Sequence, residues 1–261
     1  MFAWWLRRKR DKILERAFPD AWKAILQKNV PYVRSLDEEE VARLQDLVQV
    51  FVSEKIFVGC GGLQIDDEIR VTIAASACIL LLGIEHDLYV RVESILVYPS
   101  SVRPPQWEPN VMNPQVSVVE GRPLLLGEAH LRGPVILVWD AVEHGNRHPT
   151  MGHNVVFHEF AHKLDMLDGD LDGTPPLRST EQYKDWGMVC GRVYKELRAK
   201  VEAGEPTLLD PYGATSEAEF FAVATEYFFE RAVELERQQP DLYDVLHDFY
   251  QQDPAGRNWR A

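Results

Sequence analysis

His158 and His162 stand four residues apart with Glu159 between them, in the pentad His158-Glu159-Phe160-Ala161-His162. On an α-helix, positions four apart lie one above the other on the same face. Both imidazoles can then meet one metal ion, while Glu159, next to His158, reaches water bound to that ion. This is the H-E-x-x-H pattern of zinc hydrolases. Val155, Val156, Phe157, Phe160, Ala161 and Leu164 supply an apolar, helix-like run through the pentad. The ordinary alternative is a surface helix that carries two histidines to no chemical purpose.

A catalytic zinc usually takes three protein ligands and a water, and three residues compete for the third place. Asp168 lies six residues after His162, where an extended H-E-x-x-H-x-x-G-x-x-H/D motif puts its ligand. That route needs a sharp turn, normally at glycine, three residues after His162. Position 165 is aspartate, and Gly169 comes too late. Glu219 sits in Tyr212-Gly213-Ala214-Thr215-Ser216-Glu217-Ala218-Glu219-Phe220-Phe221-Ala222. A carboxylate on so apolar a helix needs a cation, although Ser216 three residues earlier also makes Glu219 half of a capping box. Glu226, seven residues on, falls roughly on the same face, either behind a ligand or exposed. Asp165, one turn past His162, suits a carboxylate that accepts a proton from a neighbouring group and fixes its orientation. An exposed aspartate at a helix end reads the same. His86, His130, His144, His148 and His153 lack a partner at ligand spacing on a recognisable element. The last three cluster before the pentad, as a flap, an adventitious metal binder or a solvated loop.

The elements around these residues follow from periodicity and punctuation. Ser35-Leu36-Asp37-Glu38 reads as a capping box ahead of a helix over about 37–55. Leu63-Gln64-Ile65 suits a short strand, and Asp66-Asp67-Glu68 opens a second helix, apolar all round from Ile73 to Leu82 and closed by Gly83. Val90–Val92, Ser94–Tyr98, Pro123–Leu126 and Pro134–Trp139 are strand candidates. The proline-rich positions 100–115 form a long irregular connection, and the polar stretch 143–149 leads into the motif helix. Later helices cover about 180–202, 216–237 and 240–252. Helices, a sheet, then helices again argue an α+β fold, with a mixed or antiparallel sheet packed on the motif helix. Residues 1–34 read as a mobile tail, 35–85 as a helical N-terminal part and 86–261 as the catalytic part. One continuous core over 35–255 could join the last two.

The chain has 261 residues, and its 28 basic and 41 acidic residues give a net charge of −13. An acidic surface repels phosphate backbones and disfavours direct nucleic-acid binding. Cys60, Cys78 and Cys190 are scattered and odd in number, which suits reduced thiols and a cytoplasmic setting. The apolar hexad Met1–Leu6 precedes Arg7-Arg8-Lys9-Arg10, the reverse of a signal peptide's order. A weak membrane-surface contact is the alternative to a tail there. The longest apolar stretch, 71–84, is too short for a membrane span.

Taken together, His158-Glu-Phe-Ala-His162-Lys-Leu-Asp165 and Tyr212–Ala222 resemble the Mlc titration factor A family of bacterial zinc peptidases. The second motif is also similar to the catalytic domain of anthrax lethal factor, to which that family is structurally related. Gly133–Trp139, Leu164–Gly169, Glu226–Phe229, the capped helix near position 37 and Ile95–Pro99 extend the likeness over about residues 35–255. The first thirty residues match least.

The resemblance implies a zincin-like core with one Zn2+ per chain held by His158, His162 and Glu219. It further implies Glu159 as general base and Tyr212 as the oxyanion-stabilising tyrosine. Read without the resemblance, Tyr212 is a tyrosine at the start of a helix packed on Pro211. The strand over 134–139 could pair with an extended peptide substrate at an exposed sheet edge, or equally be an interior strand. The implied function is a zinc-dependent peptidase, specifically an aminopeptidase. A second function is binding of the glucose repressor Mlc to relieve its control of sugar-uptake genes. A toxin-like endoprotease is the weakest reading, since no secretion signal supports it.

Overall fold

The computed structural model describes residues 2–85, 87–100, 116–119, 122–125 and 133–257. Helices α1 (Phe2–Leu14), α2 (Asp20–Asn29) and α3 (Glu38–Glu54) precede strand β1 (Ile56–Gly59), helix α4 (Asp67–Ile79) and strand β2 (Ser94–Tyr98). Strands β3 (Val116–Val119), β4 (Arg122–Leu125) and β5 (Val135–Val138) follow. The chain then runs through α5 (Trp139–Arg147), α6 (Val155–Asp165), α7 (Thr180–Ala203), α8 (Glu217–Glu230), α9 (Ala232–Gln238) and α10 (Pro240–Tyr250).

Five helices start where a short polar side chain satisfies an otherwise unpaired backbone N–H. Asp37, Asp66, Asn154, Ser179 and Ser216 cap α3, α4, α6, α7 and α8. The capping box of α3 is Asp37 with Glu40, not the pair around Ser35 and Glu38. Ser35 instead donates to the Tyr32 carbonyl, closing a 3-10 turn over Pro31–Ser35.

The sheet corrects the expected strand sense. Strands run in the order β1-β2-β5, and both pairings are parallel, with Ile56 opposite Ser94 and Ile95 opposite Val135. A mixed or antiparallel sheet is therefore wrong here; the one antiparallel pair among the described residues is the separate β3-β4 ribbon. The reason is connectivity. Parallel neighbours need a long crossover, and α4 provides it between β1 and β2. The strand expected at 63–65 is instead irregular chain after a turn at 61–62, and β1 lies earlier, one residue after α3. The segment 90–92 is also a turn, where Lys55 Nζ donates to the Tyr89 carbonyl and the Tyr89 hydroxyl to that of Ala77.

Several other boundaries move. The polar stretch 143–149 is mostly helix, because α5 runs to Arg147. Helix α4 ends at Ile79, before Gly83. At Gly83 the Tyr250 backbone passes so close that an added Cβ would lie 2.2 Å from its carbonyl oxygen. Positions 101–115 of the irregular connection expected at 100–115 and the strand residue Leu126 lie outside the described residues, as do His86 and His130.

Residues between Arg10 and Tyr32 make specific contacts with the rest of the chain. Arg10 forms a two-pronged pair with Glu54, Gln49 donates to the Ile13 and Arg16 carbonyls, and Asn29 donates to Glu68 and Thr72. Tyr32 packs edge-on against Phe157 and Phe229. Buried residues from Leu26 to Tyr250 form one continuous apolar cluster. At its centre α6 packs against α4, α8 and β5. Phe160, with no exposed surface, lies 4.7 Å from the Tyr89 ring and 5.8 Å from that of Phe51, centroid to centroid. Such packing fixes the rotation of α6 about its own axis, and hence where His158 and His162 point.

Candidate metal centre

Burying Val156, Phe157, Phe160, Ala161 and Leu164 turns the two motif histidines toward the first turn of α8. There Glu219 Oε2 lies 2.9 Å from His158 Nε2 and 3.5 Å from His162 Nε2. The rings of His158 and His162 are 4.9 Å apart, centroid to centroid. Among the described residues, His158, His162 and Glu219 are the group of three whose donor atoms all lie within 4.8 Å of one another. Two imidazoles and one carboxylate make a nitrogen–oxygen donor set able to hold a metal ion.

The surroundings favour positive charge at this point. His158 has carboxylates on both ring nitrogens: Glu219 on Nε2, and Glu226 Oε1 at 2.7 Å from Nδ1. Burial alone would lower its pKa, but the hydrogen bonds to Glu219 and Glu226 outweigh this and push it up to about 10. Burial would likewise raise the Glu219 carboxyl, yet the two histidines hold it well below the usual carboxylate range. A pocket that stabilises protons on nitrogen and charge on oxygen also stabilises a cation shared between them.

Glu226 is the side chain that sequence reasoning left between two uses. It is 2% exposed and stands behind His158 rather than beside Glu219. Its second oxygen accepts the Asn154 backbone N–H at 2.6 Å, and Glu230, one turn further, accepts that of His153 at 3.0 Å. Helix α8 thus presents Glu219 to the ligand cluster while Glu226 and Glu230 hold the start of α6. A carboxylate on Nδ1 leaves the Nε2 lone pair directed at the cluster. We expect Glu226→Gln, which keeps the shape and removes the charge, to weaken metal affinity about 10–100-fold. Competition against a chromophoric chelator measures this, and an unchanged affinity would remove Glu226 from the account.

Sequence reasoning missed Glu230. Its one available signal was a glutamate four residues after Glu226 in the apolar run Tyr227-Phe228-Phe229. Burial and the nearby Glu226 push its carboxyl up to about 8, against the His153 N–H that lowers it. The folded pKa exceeds the unfolded value, so the folded state holds the extra proton. Stability therefore falls as pH rises from about 4.5 to about 8. Glu230→Gln lacks this component, so its melting temperature gains on that of the wild type across that window. Parallel pH-dependent slopes for the two proteins would contradict this.

The remaining predicted residues fall as follows. Glu159, partly buried beside His158, has its pKa raised by burial, an effect that His158 and His162 oppose. Tyr212 lies in a 3-10 turn over Pro211–Ala214, where Asp210 accepts its backbone N–H at 2.7 Å. Its ring centroid is 6.0 Å from that of His158. Asp165 is fully buried, not an exposed helix end, and its Oδ2 accepts the Gly173 N–H at 2.8 Å. Burial pushes its carboxyl up to about 7, opposed by that N–H and by His162. The contact pins a loop whose Gly173 has φ +80° and sits against the Glu217 carbonyl, next to the start of α8. Asp168 is exposed, accepts the Asp170 N–H and takes no part in the cluster.

A helix-borne pair of histidines joined by a distal glutamate, with Glu159 next to the first of them, is a group able to hold a metal ion. The chain belongs to the glucose-regulated metallo-peptidase M90 family, whose model matches residues 2–251. The match includes α1 and α2, the segment expected to resemble the family least. A relative from Synechocystis, named uncharacterized protein slr2042, is 38% identical over 252 residues, covering 96% of this chain and 90% of the relative. Mlc titration factor A from Escherichia coli (strain ATCC 8739) is 28% identical over 260 residues, covering 98% and 94%. The Salmonella gallinarum protein of that name is 30% identical over 233 residues, covering 87% and 85%. No helix among the described residues is long and apolar enough to cross a membrane.

Proposed function

We propose that the protein is a zinc-dependent peptidase acting as an aminopeptidase, with His158, His162 and Glu219 as its zinc ligands. The observation that carries this reading is the convergence of these three donors from α6 and α8 with Glu159 beside them. Two histidines and a glutamate are a set that catalytic zinc takes. Zinc, when bound, supplies Lewis acidity to a substrate carbonyl and lowers the pKa of water to about 7.

The chain's own residues do the rest. Glu159 takes the proton of the attacking water as its oxygen adds to the carbonyl carbon. It then delivers that proton to the amine nitrogen as the C–N bond breaks. Its raised pKa suits both halves of this exchange, because a base poised nearer neutrality also serves as the acid. Tyr212 donates its phenolic O–H to the oxyanion of the tetrahedral intermediate. Asp165, through Gly173, keeps the loop beside the start of α8 in place. Strand β5, last in the order β1-β2-β5 and packed on α6, offers its backbone to an extended peptide. A free substrate amino group calls for an acidic partner near the cleft. The test is hydrolysis of aminoacyl fluorogenic substrates by zinc-loaded protein.

The Escherichia coli and Salmonella relatives, named Mlc titration factor A, favour a second reading, in which the chain binds an Mlc-like transcriptional repressor and draws it off its operators. Adding the protein to a gel-shift of such a repressor tests it: release of DNA supports it, and an unchanged shift counts against it. The two readings are compatible, since the acidic chain competes with DNA for the repressor rather than for its operator.

A further inference from the structure

The loop expected before the motif helix contains a second pair of histidines at helical spacing. His144 lies in α5 and His148 caps it, and the His148 N–H still donates to the His144 carbonyl at 3.2 Å, so the helical turn between them is closed. Their rings are 4.7 Å apart, centroid to centroid, against 4.9 Å for His158 and His162. The ring separation of the buried histidine pair is thus repeated at the surface. Both residues line a cavity of about 270 Å³ together with Gly145, Met151 and His153. His153 stands at the far side of the pair in sequence and is 43% exposed, with Nδ1 3.5 Å from Asp210 Oδ2.

We propose that His144 and His148 form a second, exchangeable metal site for a borderline divalent ion such as Zn2+, Ni2+ or Cu2+, which His153, whose donors do not converge with theirs here, joins only by moving across the cavity. Imidazole is the ligand these ions share. Hard cations that prefer oxygen, such as Mg2+ and Ca2+, find no carboxylate among the cavity's lining residues and are not bound. The site is weaker than the buried cluster, because His144 and His148 are exposed and no carboxylate converges with them as Glu219 does with His158 and His162. Holding an ion between them fixes the end of α5, and recruiting His153 draws it from Asp210, whose other oxygen holds the Tyr212 N–H.

Equilibrium dialysis of the full chain against micromolar Zn2+ tests this without reference to activity. Wild type takes two equivalents, one tight and one weak. His144→Ala/His148→Ala keeps the tight equivalent and loses the weak one, whereas Glu219→Ala loses the tight one and keeps the weak one. His153→Ala weakens the second equivalent several-fold without abolishing it. A single equivalent in wild type overturns the proposal. So does a second equivalent that persists in the double variant, which would mark an adventitious ion only. Loss of the tight equivalent in Glu219→Ala bears on the buried centre, so the two claims fail separately. Both histidines of the pair are exposed, and the double variant is expected to fold as wild type does.

Discussion

Glu159→Gln is expected to retain zinc with unchanged affinity and to lose peptide hydrolysis by about 10²–10⁴-fold in kcat. The argument rests on position. Glu159 is adjacent to a ligand but is not itself within the converging group of His158, His162 and Glu219. Its amide isostere therefore leaves the donor set intact and removes the group that accepts and returns the proton. Burial already disfavours the Glu159 carboxylate, so the neutral amide does not cost the folded protein a favourable charge. The variant should melt no lower than wild type. Hydrolysis at wild-type rate with zinc bound would show that the proton moves by another route, and loss of zinc would show that Glu159 is a ligand.

Glu219→Ala is expected to have the complementary effect. It leaves two imidazoles without the carboxylate that lies against both of them. The loss in zinc affinity should exceed the roughly 100-fold that an outer partner contributes. Hydrolysis goes with the metal. The zinc-induced rise in melting temperature, which follows from preferential binding to the folded state, should disappear at zinc concentrations that stabilise wild type. Titration calorimetry and thermal melts with and without zinc read both effects. Retained affinity would return the third-ligand place to another acidic residue. Between the two variants, metal holding and proton transfer are separated: one keeps the ion without the reaction, the other loses both.

The site was more legible than the sheet, and the reasons are physical. His158 and His162 are neighbours through local helix geometry, and Glu219 betrays itself as a charge in an apolar run, so both signals survive without knowledge of tertiary structure. The functions of Glu226 and Glu230 depend on contacts with Asn154 and His153 across more than seventy residues of chain, which no local period reports. Strand β1 has four residues and follows α3 with one residue between them, so no turn residue separates it from the helical pattern. Missing it also hid the β1-α4-β2 crossover that makes the sheet parallel. The basic run in α1 reads as solvated tail because its order comes from Arg10 meeting Glu54 on another helix. The pair at 144 and 148 leaves flap, adventitious binder and solvated loop open in the sequence, because the helical turn that stacks the two rings is not legible in so polar a segment.

The most direct test of the central claim is hydrolysis of a panel of aminoacyl fluorogenic substrates by zinc-loaded protein, before chelation, after it, and after zinc is restored. The account predicts cleavage of at least one substrate that chelation abolishes and zinc returns. Zinc-bound protein that cleaves none of the panel, or cleavage that survives removal of the metal, would contradict it.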